Sequence, residues 1–561
     1  MCRIKTFRDP IHGDIAVGPM QLAAIDSDAF QRLRYVKQNG LLHLVFPGAV
    51  HTRFAHSVGT MHVAQRAFSR LFPSYRIATR NNAGDQDPVR YIGTVFEFAA
   101  LLHDIGHCAF SHSIEKVDEP GSGFRVFPEV EQLVPRWADD FCPEIAHWWG
   151  RHRARAIQSA RARGSNWIEY PKHEEIGLFL GYMALKCPSI VDTKRDKSRA
   201  EMLFPNIFPK LSGAATGAFD HFVDDVLSLM RDELDWLNPS PTLVAALMQA
   251  CSQITRPPGS PSEAHAMQLF RVLHSLVSGT LDVDRMDYLL RDSHFAGTVI
   301  GKYDLDLIIN SLSLGCAGED GIVLCVADRA RGAIDDFLWS RWQLYLQVIN
   351  HKANVVLESI FPDAFKSVTK QPTDLDDYAE ILLFTDETVM SQVRRDFLAT
   401  HKRTNPARTP AKLAFLRTRL PKHLHVEELN EVEDIEAEKT LIVMKQSELA
   451  HAMGVSVTDI RVTKTTSDLI KSDGALPRIV RKVVGSSGVV DYQLCEPDYL
   501  SRRWQDAGRP TRVRRVHFFT TADLTAKEIM ANPAPIVAAL LNEAPASKSG
   551  GVPVTKAGKK K

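Results

Sequence analysis

The sequence predicts a mainly α-helical protein that carries a smaller α+β region toward its C-terminal end. Up to about residue 364, most segments repeat apolar residues at the spacing of an amphipathic helix. After Pro372, helix-like and strand-like segments follow one another. The 561 residues are 44% hydrophobic and 24% charged, which is ordinary globular composition and excludes disordered, collagen-like and disulfide-scaffold classes.

The first part of the chain supplies most of the predicted helices. A turn around Pro10 and Gly13 comes first, because both residue types favour turns. Alternation in GIVLCVAD, residues 321–328, predicts a strand, and CAGEDG before it predicts a hairpin turn. Helical segments are expected at about 20–36, 53–72, 91–103, 173–255, 264–292 and 333–364, with a turn at 257–263.

The C-terminal third divides into segments of different character. The acidic stretch 426–439 is helix-like, whereas TLIVMK at 440–445 and VHFFTTA at 516–522 are strand-like. Lysines with Ser, Gly and Pro predict a disordered tail. We therefore expect a core at 1–370 with insertions near 116–172 and 178–279, an α+β regulatory or oligomerisation region at 371–543, and a basic tail at 544–561.

The charge balance restricts the class of partner. Lys and Arg number 68 against 67 Asp and Glu, and the formal net charge of +1 argues against a globally cationic nucleic-acid binder. Two arginine-rich runs, 151–163 and 502–515, are open to two interpretations: a phosphate or nucleic-acid surface, or solvated faces and subunit contacts. The sequence has no signal-peptide core and no run of about 18 apolar residues, so we expect a cytoplasmic protein without membrane contact.

The segment FEFAALLHDIGHCAFSHSIE concentrates the residues that carry chemistry. An apolar helix is expected to end in His103 and Asp104, with His107 on the same helical face as His103 and His112 beyond a turn. Any one of these histidines is compatible with a hydrogen-bonded structural role. Together, imidazole and carboxylate donors suit a divalent ion such as Mn, Fe, Ni or Zn.

Two distant segments offer further donors. Arg53 and His56 are three residues apart on a predicted helix, so a guanidinium suited to phosphate and an imidazole suited to metal point the same way. In the segment LDVDRMDYLLRDSHFAG, four acidic residues interrupt an otherwise apolar predicted helix. Buried acidic side chains need partners. A charge-lined surface helix is the alternative for these acids, Asp282, Asp284, Asp287 and Asp292.

In order, His56, the pair His103 and Asp104, and Asp284 form an H…HD…D pattern that resembles the HD-domain metal-dependent phosphohydrolases. The flanking text is similar to the deoxynucleoside triphosphate triphosphohydrolases of that superfamily, both the mammalian SAM-and-HD-domain branch and the bacterial dGTPase-like branch. The resemblance covers roughly residues 3–365 and rests on six segments in order: RDPIHGDI, FQRLRYVKQNG, VFPGAVHTRFAHSVG, HDIGHCAFSH, HEEIG and DVDRMDYLLRD.

The resemblance implies a helical HD core that hydrolyses a dNTP to a deoxynucleoside and inorganic triphosphate. It implies one divalent metal held by His56, His103, Asp104 and Asp284, with Mg possible alongside the nucleotide. It places catalytic, proton-handling residues at His107, His112, Glu115, His173 and Glu174. It places substrate-binding residues at Gln38, Arg53, Arg285, Tyr288, Asp292, Arg341 and Tyr345.

The resemblance also implies regulation by an activating nucleotide bound between subunits, in a homo-oligomer of two or four chains. The matching positions are Lys5, Asp26, Gln31, Arg34, Asp304 and Lys352. For Asp26, Gln31 and Arg34, an N-cap and solvent-facing helix positions are the structural alternative.

Four positions depart from the family pattern. Ile349 stands where a tyrosine usually packs against the deoxyribose, so selectivity against ribose is open. Leu307 replaces an activating-site arginine and Arg285 a lysine of the mammalian enzyme, while Glu115 replaces an aspartate of close relatives. The activator is therefore expected to differ from that of the mammalian enzyme or to be a single nucleotide.

Two other functions stay open at this point. An HD site can cleave nucleotide monophosphates, cyclic nucleotides or nucleic-acid ends, and the arginine-rich runs would then contact nucleic acid. Alternatively, the protein senses a nucleotide and controls a partner through its C-terminal region. By family analogy, the biological role would be control of the dNTP pool, including starvation of replicating phage.

Overall fold

The structure is a computed structural model, in which two compact units can be distinguished. One unit comprises 1–420, 426–431 and 463–517, and the other comprises 421–425, 432–462 and 518–561. The structure describes residues 4–75, 88–118, 148, 150, 173–187, 197–208, 217–230, 239–254, 260–317, 321–368, 378–400, 422–428, 435–468, 478–484, 490–495 and 512–520.

Helices make up most of the described residues. The long helix Arg53–Leu71 packs against Pro88–Leu102 and Val283–Phe295, and these three helices surround the candidate site. Phe68, Phe96 and Phe98 are fully buried; the ring of Phe68 contacts that of Phe96, and Phe98 contacts Phe222 of the helix Ala218–Leu229. The other α-helices are Pro19–Ile25, Asp28–Gln31, His112–Glu115, His173–Lys186, Arg199–Ile207, Ala218–Leu229, Pro241–Cys251, Glu263–Val277, Leu305–Ser311, Arg331–Leu344, Lys352–Val368, Tyr378–Leu383, Asp386–Thr400 and Ile435–Met453.

Small sheets accompany the helices. The strands Lys5–Asp9 and Gly13–Val17 form an antiparallel hairpin, whose turn uses Gly13 at a φ of 74°. A four-stranded sheet has the order Leu312–Ala317, Gly321–Ala327, Arg478–Val484, Val490–Cys495, with only the middle pair parallel. Three further strands, Lys422–Glu428, Ile460–Asp468 and Arg512–Thr520, contribute residues to both units.

The predicted fold class, mainly α-helical, is confirmed. The predicted strand at 321–328 and its hairpin are also present, as Gly321–Ala327 paired with Leu312–Ala317. The long helix expected at 333–364 is interrupted by a π-helical turn, Tyr345–Ile349. Residues 516–520 of the strand predicted at 516–522 belong to Arg512–Thr520, and the last two lie outside the described residues.

Three local predictions are wrong. TLIVMK at 440–445 lies inside the helix Ile435–Met453, because a six-residue apolar run does not by itself distinguish a strand from a helix. Conversely, 426–428 ends the strand Lys422–Glu428 rather than beginning a helix. The apolar helix before the histidine cluster ends at Leu102, so His103 and His107 lie in the turn that follows and not on one helical face.

Other predictions concern residues that the structure does not describe. The arginine-rich run 151–163, residues 502–511 of the second run, and the tail 544–561 lie outside the described residues. The predicted boundaries near 370 and 543 stay predictions. Among the described residues, no helix is both long enough and apolar enough to span a membrane.

Candidate metal centre

The four predicted metal ligands converge from three elements. His56 comes from the helix Arg53–Leu71, and its Nε2 lies 2.9 Å from Asp284 Oδ1 and 3.4 Å from Asp104 Oδ2. The Nε2 of His103 lies 3.5 Å from both Asp104 Oδ1 and Asp284 Oδ1. Two imidazoles and two carboxylates therefore face one point.

A tight turn brings His103 and Asp104 to this point. The N–H of Ile105 donates to Leu102 and that of His107 to Asp104, which ends the α-helical pattern. A Cβ on Gly106 would overlap the backbone of His173 and Gly177, so only glycine lets the helix His173–Lys186 pack against this turn. The HD turn and the second histidine segment are thereby held together.

Hydrogen bonds on the far side of each imidazole set its orientation. Nδ1 of His56 lies 2.7 Å from Asp287 Oδ2, and Nδ1 of His103 lies 2.8 Å from the carbonyl oxygen of Ala100. These contacts place the ring proton on Nδ1 and leave the Nε2 lone pair for a metal. Consistently, both Nε2 atoms are buried and make no hydrogen bond.

Asp287 belongs to a buried network behind His56. Arg291, itself fully buried, donates from Nε and Nη2 to Asp287 at 2.8 Å each, and from Nη1 to Asp9 at 2.8 Å. Nε2 of His12 lies 2.6 Å from the same Asp287. The sequence indicated that Asp287 needs a partner, but it did not identify His12, which lies in the hairpin turn 275 residues away.

The donor set fits a divalent cation. Burial would raise the pKa of Asp104, but the charges of Arg53 and His103 hold it well below its usual range, and the neighbouring His103 and His56 do the same for Asp284. Burial would likewise lower the pKa of His56, but Asp284 and Asp287 raise it to about 10. Two carboxylates thus lie beside the unbonded Nε2 atoms, and a transition metal between them would supply the positive charge that balances them.

The predicted proton-handling residues form a second group beside these ligands. The rings of His107 and His173 stack at 3.9 Å, and His112 meets both edge-on. The Oε1 of Glu115 lies 2.6 Å from Nδ1 of His173, and its Oε2 lies 3.1 Å from Nδ1 of His112. Glu174 Oε2 lies 3.3 Å from the same nitrogen of His173.

The histidines of this group differ in basicity. Burial lowers the pKa of His107 well below its usual range, and the charges of Arg53 and His173 lower it further. Burial would also lower the pKa of His173, but the hydrogen bond to Glu115 and the charge of Glu174 raise it. His107 is therefore neutral near pH 7, whereas His173 holds a proton more tightly than a free imidazole.

A cavity of about 860 Å³ is lined by most members of both groups, but not by His56 or Glu115, and by most of the predicted substrate residues. Arg53 does not present a free guanidinium, because it donates to Asp104, to Ser111 at 3.0 Å and to the carbonyl of Gln38 at 3.1 Å. The predicted substrate residues that line the cavity are Gln38, Arg53, Arg285, Tyr288, Asp292 and Tyr345.

Asp292 and Arg341 have different surroundings. Asp292 is 4% exposed, and its Oδ1 lies 2.7 Å from Nε2 of His51, a partner that the sequence did not identify. His51 in turn stacks on Phe295 at 4.7 Å. Arg341 is not among the lining residues, although its guanidinium stands 5.0 Å above the ring of Tyr345.

The predicted activator residues lie elsewhere and are mostly exposed. Gln31 accepts a hydrogen bond from Arg34 at 2.8 Å, and Asp26 pairs with Arg199 at 3.4 Å. Asp304 caps the helix Leu305–Ser311. Lys5 and Lys352 are exposed, and within the described part of the chain no contact joins Asp304 or Lys352 to Asp26, Gln31 or Arg34. Their regulatory role stays a prediction.

Comparison with known proteins agrees with this geometry. The HD domain family matches residues 53–169, which contain three of the four converging ligands. HD domains imply a divalent metal, and the donor set described above fits one.

The chain is also similar in sequence to the deoxynucleoside triphosphate triphosphohydrolase SAMHD1. It is 24% identical to the Homo sapiens protein over 381 residues, which are 67% of this chain and 46% of that protein. It is 41% identical to the Danio rerio protein over 365 residues, which are 64% of this chain and 44% of that protein. The chain thus spans about half the length of these relatives.

A solved structure supports the fold of the HD-domain chain. A phosphohydrolase from Bacteroides thetaiotaomicron aligns with a TM-score of 0.52 at 19% identity, covering 93% of this chain and all of that one. At that identity the likeness shows the fold alone. The family resemblance predicted from the sequence motifs is confirmed by the HD match together with the SAMHD1 relationship.

Proposed function

We propose that the protein is a metal-dependent phosphohydrolase that hydrolyses dNTPs to a deoxynucleoside and inorganic triphosphate. The observation that carries this proposal is the convergence of His56, His103, Asp104 and Asp284, with both Nε2 atoms unbonded, beside a cavity that is also lined by Arg53, Arg285 and a histidine cluster. The sequence relationship to SAMHD1 supports the choice of dNTPs as substrate.

In this reaction, water forms a bond to the α-phosphorus and the bond from phosphorus to the 5′-oxygen breaks. A divalent metal held by His56, His103, Asp104 and Asp284 would supply a Lewis acid for the phosphoryl oxygen and lower the pKa of bound water. The side chains of the protein would hold the triphosphate, exclude bulk water and protonate the leaving 5′-oxygen.

The arrangement suggests which side chain supplies that proton. Glu115 engages Nδ1 of His112, so Nε2 is the nitrogen that remains for a substrate. His107 is neutral near pH 7 because burial and Arg53 lower its pKa, so it is not the donor. We assign the donor to Nε2 of His112, with His173 and Glu115 keeping the ring oriented.

Positive side chains beside the metal ligands suit the triphosphate. Arg53 shares Asp104 with the metal site, so its guanidinium borders the position that the phosphates would occupy. Arg285 lines the same cavity at the beginning of the helix Val283–Phe295, where helix N–H groups also favour anions. Gln38 lines the cavity with its buried Oε1 unbonded, which suits a hydroxyl donor such as the sugar 3′-OH.

The sugar position is less restrictive than the family pattern. Ile349 lines the cavity at the end of the π-helical turn Tyr345–Ile349, and a branched aliphatic side chain offers no hydroxyl or ring there. Ribonucleotides should therefore be tested as substrates of the same site alongside dNTPs.

Regulation belongs to the same proposal. Activation by a nucleotide at Lys5, Asp26, Gln31, Arg34, Asp304 and Lys352, assembly into dimers or tetramers, and control of the dNTP pool against phage are proposed by analogy with the family. The exposed positions of Asp26 and Arg34 are compatible with a subunit interface.

The test is to incubate the purified protein with Mn²⁺ or Mg²⁺ and each dNTP or NTP, singly and in pairs. Chromatography should show triphosphate and nucleoside, and the variant His103→Ala/Asp104→Ala should lose them. Turnover that needs a second nucleotide would support the activator site. If no nucleotide is cleaved in any combination, the proposal fails, and nucleic-acid ends and partner binding become the alternatives.

A further inference from the structure

The turn immediately before His112 has an unfavourable backbone conformation. Phe110 and Ser111 have φ values of 60° and 51°, a region that residues with a side chain rarely adopt. The ring of Phe110 is fully buried. Such a conformation persists only where its surroundings hold it in place, and it is most often found at functional sites.

The carboxylate that holds this turn comes from a distant helix. Asp386 is the first residue of the helix Asp386–Thr400, and its Oδ1 accepts the N–H of Phe110 at 2.7 Å. Its Oδ2 accepts the N–H of Lys37 at 3.1 Å. The side chain is 1% exposed, and burial raises its pKa to about 6 while the N–H donors oppose a further rise.

The two loops joined by Asp386 also contact each other directly. Ser111 Oγ donates to the carbonyl of Lys37 at 2.8 Å. Gly40 has a φ of 47°, and a Cβ there would lie 2.6 Å from the carbonyl oxygen of Phe110. The loop around residues 37–40 and the turn at 110–111 therefore form one rigid unit, which presents Gln38 and His112 to the cavity.

The same unit reaches the metal ligands through Arg53. The hydroxyl of Ser111 accepts from Nε of Arg53 at 3.0 Å, and the guanidinium binds Asp104 and the carbonyl of Gln38. Asp386 is thus connected, through these hydrogen bonds and the short backbone segments 37–38 and 110–112, to Asp104, to His112, which we assign as proton donor, and to Gln38, which we assign to the sugar.

We propose that Asp386 is a positioning residue of the hydrolytic site: its carboxylate locks the Phe110 and Ser111 turn so that His112 and Gln38 face the substrate. Asp386 is outside the cavity lining and acts through these backbone groups. It lies beyond the 1–370 core expected from the sequence and outside the matched HD domain. This inference rests on the proposed function and specifies what its site needs.

The test compares Asp386→Asn and Asp386→Ala with the control Glu387→Gln. Glu387, the next residue, is an exposed acid that makes none of these bonds. Because a misplaced reacting group costs up to about 100-fold, kcat should fall roughly 10- to 100-fold in the alanine variant, and less in Asp386→Asn, which keeps one acceptor oxygen. Bound metal should stay at the wild-type level, and the control should keep the wild-type kcat.

Hydrogen exchange separates positioning from a general loss of structure. The Phe110 amide should lose protection in both Asp386 variants, while amides of the buried helix Pro88–Leu102 keep theirs. The inference would be overturned if the wild type is active and Asp386→Ala has the same kcat and the same Phe110 exchange as the wild type. If the wild type hydrolyses no nucleotide, the proposed function fails. In that case, Phe110 exchange and metal-dependent dNTP affinity are compared between wild type and Asp386→Ala: a change in both supports the positioning role of Asp386, and no change in either refutes it.

Discussion

Replacement of Asp287 by Asn tests how the protein orients the imidazole of His56, which we propose to bind the metal. The Asp287 carboxylate is fully buried and meets four donors or ring nitrogens: two from Arg291 at 2.8 Å, His12 at 2.6 Å and His56 at 2.7 Å. Asparagine keeps the shape but offers only one acceptor oxygen, and its NH₂ group would face donors. The variant therefore loses part of the hydrogen bonding that fixes Nδ1 of His56.

The expected magnitude follows from the role of such outer partners. Loss of an outer hydrogen bond to a metal-binding histidine costs about 10- to 100-fold in metal affinity, or about 1.4–2.8 kcal/mol. The fold should also lose stability, because removal of one partner of a buried ion pair costs about 3–5 kcal/mol. Arg291 retains its bond to Asp9, so we expect the lower end of that range.

The assay is a competition between the metal-free protein and a chelating dye for Zn²⁺ or Mn²⁺. Asp306→Asn is the matched control, because Asp306 is an exposed acid that pairs only with Arg66 among the described contacts. Circular dichroism and urea unfolding would verify that both variants fold. If Asp287→Asn binds metal with wild-type affinity while it is folded, the network behind His56 does not orient the ligand.

Three further predictions concern stability. In Gly59→Ala the new Cβ would overlap the side chains of Asp287 and Arg291, so the free energy of unfolding measured in urea should fall by about 1–3 kcal/mol. The Cβ of Gly332→Ala would enter open space, so that variant should not be destabilised. Burial raises the pKa of Asp225 to about 7, so the protonated carboxyl contributes most to the free energy of unfolding below about pH 4, and this contribution is lost as the pH rises through 7. Asp225→Asn should remove this pH dependence of the free energy of unfolding, which amounts to roughly 4 kcal/mol at most. Chelation should lower the Tm, and metal at about 100 times its Kd should restore about 2.7 kcal/mol.

These stability predictions have outcomes that would contradict them. Equal unfolding midpoints for Gly59→Ala and Gly332→Ala would mean that the helices Arg53–Leu71 and Val283–Phe295 are not in close contact. A pH slope that persists in Asp225→Asn would assign the titration to another group. A Tm that does not respond to metal would argue against a resident ion.

The sequence predicted which four residues would converge at the candidate metal centre, because each sits in a short motif with its own chemical character. It did not predict what orients them. The contact between His12 and Asp287 joins residues 275 positions apart, and no local pattern indicates it. His51 and Asp292 are likewise paired only by the fold.

Local structure was predictable where periodicity was long and failed where the signal was short. The helix Arg53–Leu71 is 19 residues long and matched its pattern, whereas the six residues of TLIVMK fit a strand or a helix equally well. The helix before the HD turn was expected to continue to His103 and Asp104, but it ends at Leu102, and the turn that follows packs Gly106 against His173 and Gly177.

The importance of Asp386 was also invisible in the sequence. An acid at the beginning of a helix is ordinarily explained by the helix dipole and the unpaired N–H groups. Only the fold shows that this carboxylate instead accepts two backbone N–H groups from loops of the cavity. Region boundaries drawn from motifs therefore placed it outside the core.

The measurement that tests the central claim most directly is the reaction of the metal-loaded protein with dNTPs in ¹⁸O-labelled water, followed by mass spectrometry. Attack of water on the α-phosphorus predicts unlabelled deoxynucleoside and inorganic triphosphate that carries one ¹⁸O, both absent in His103→Ala/Asp104→Ala. Label in the nucleoside, or release of a nucleoside monophosphate with pyrophosphate, would contradict the proposed reaction.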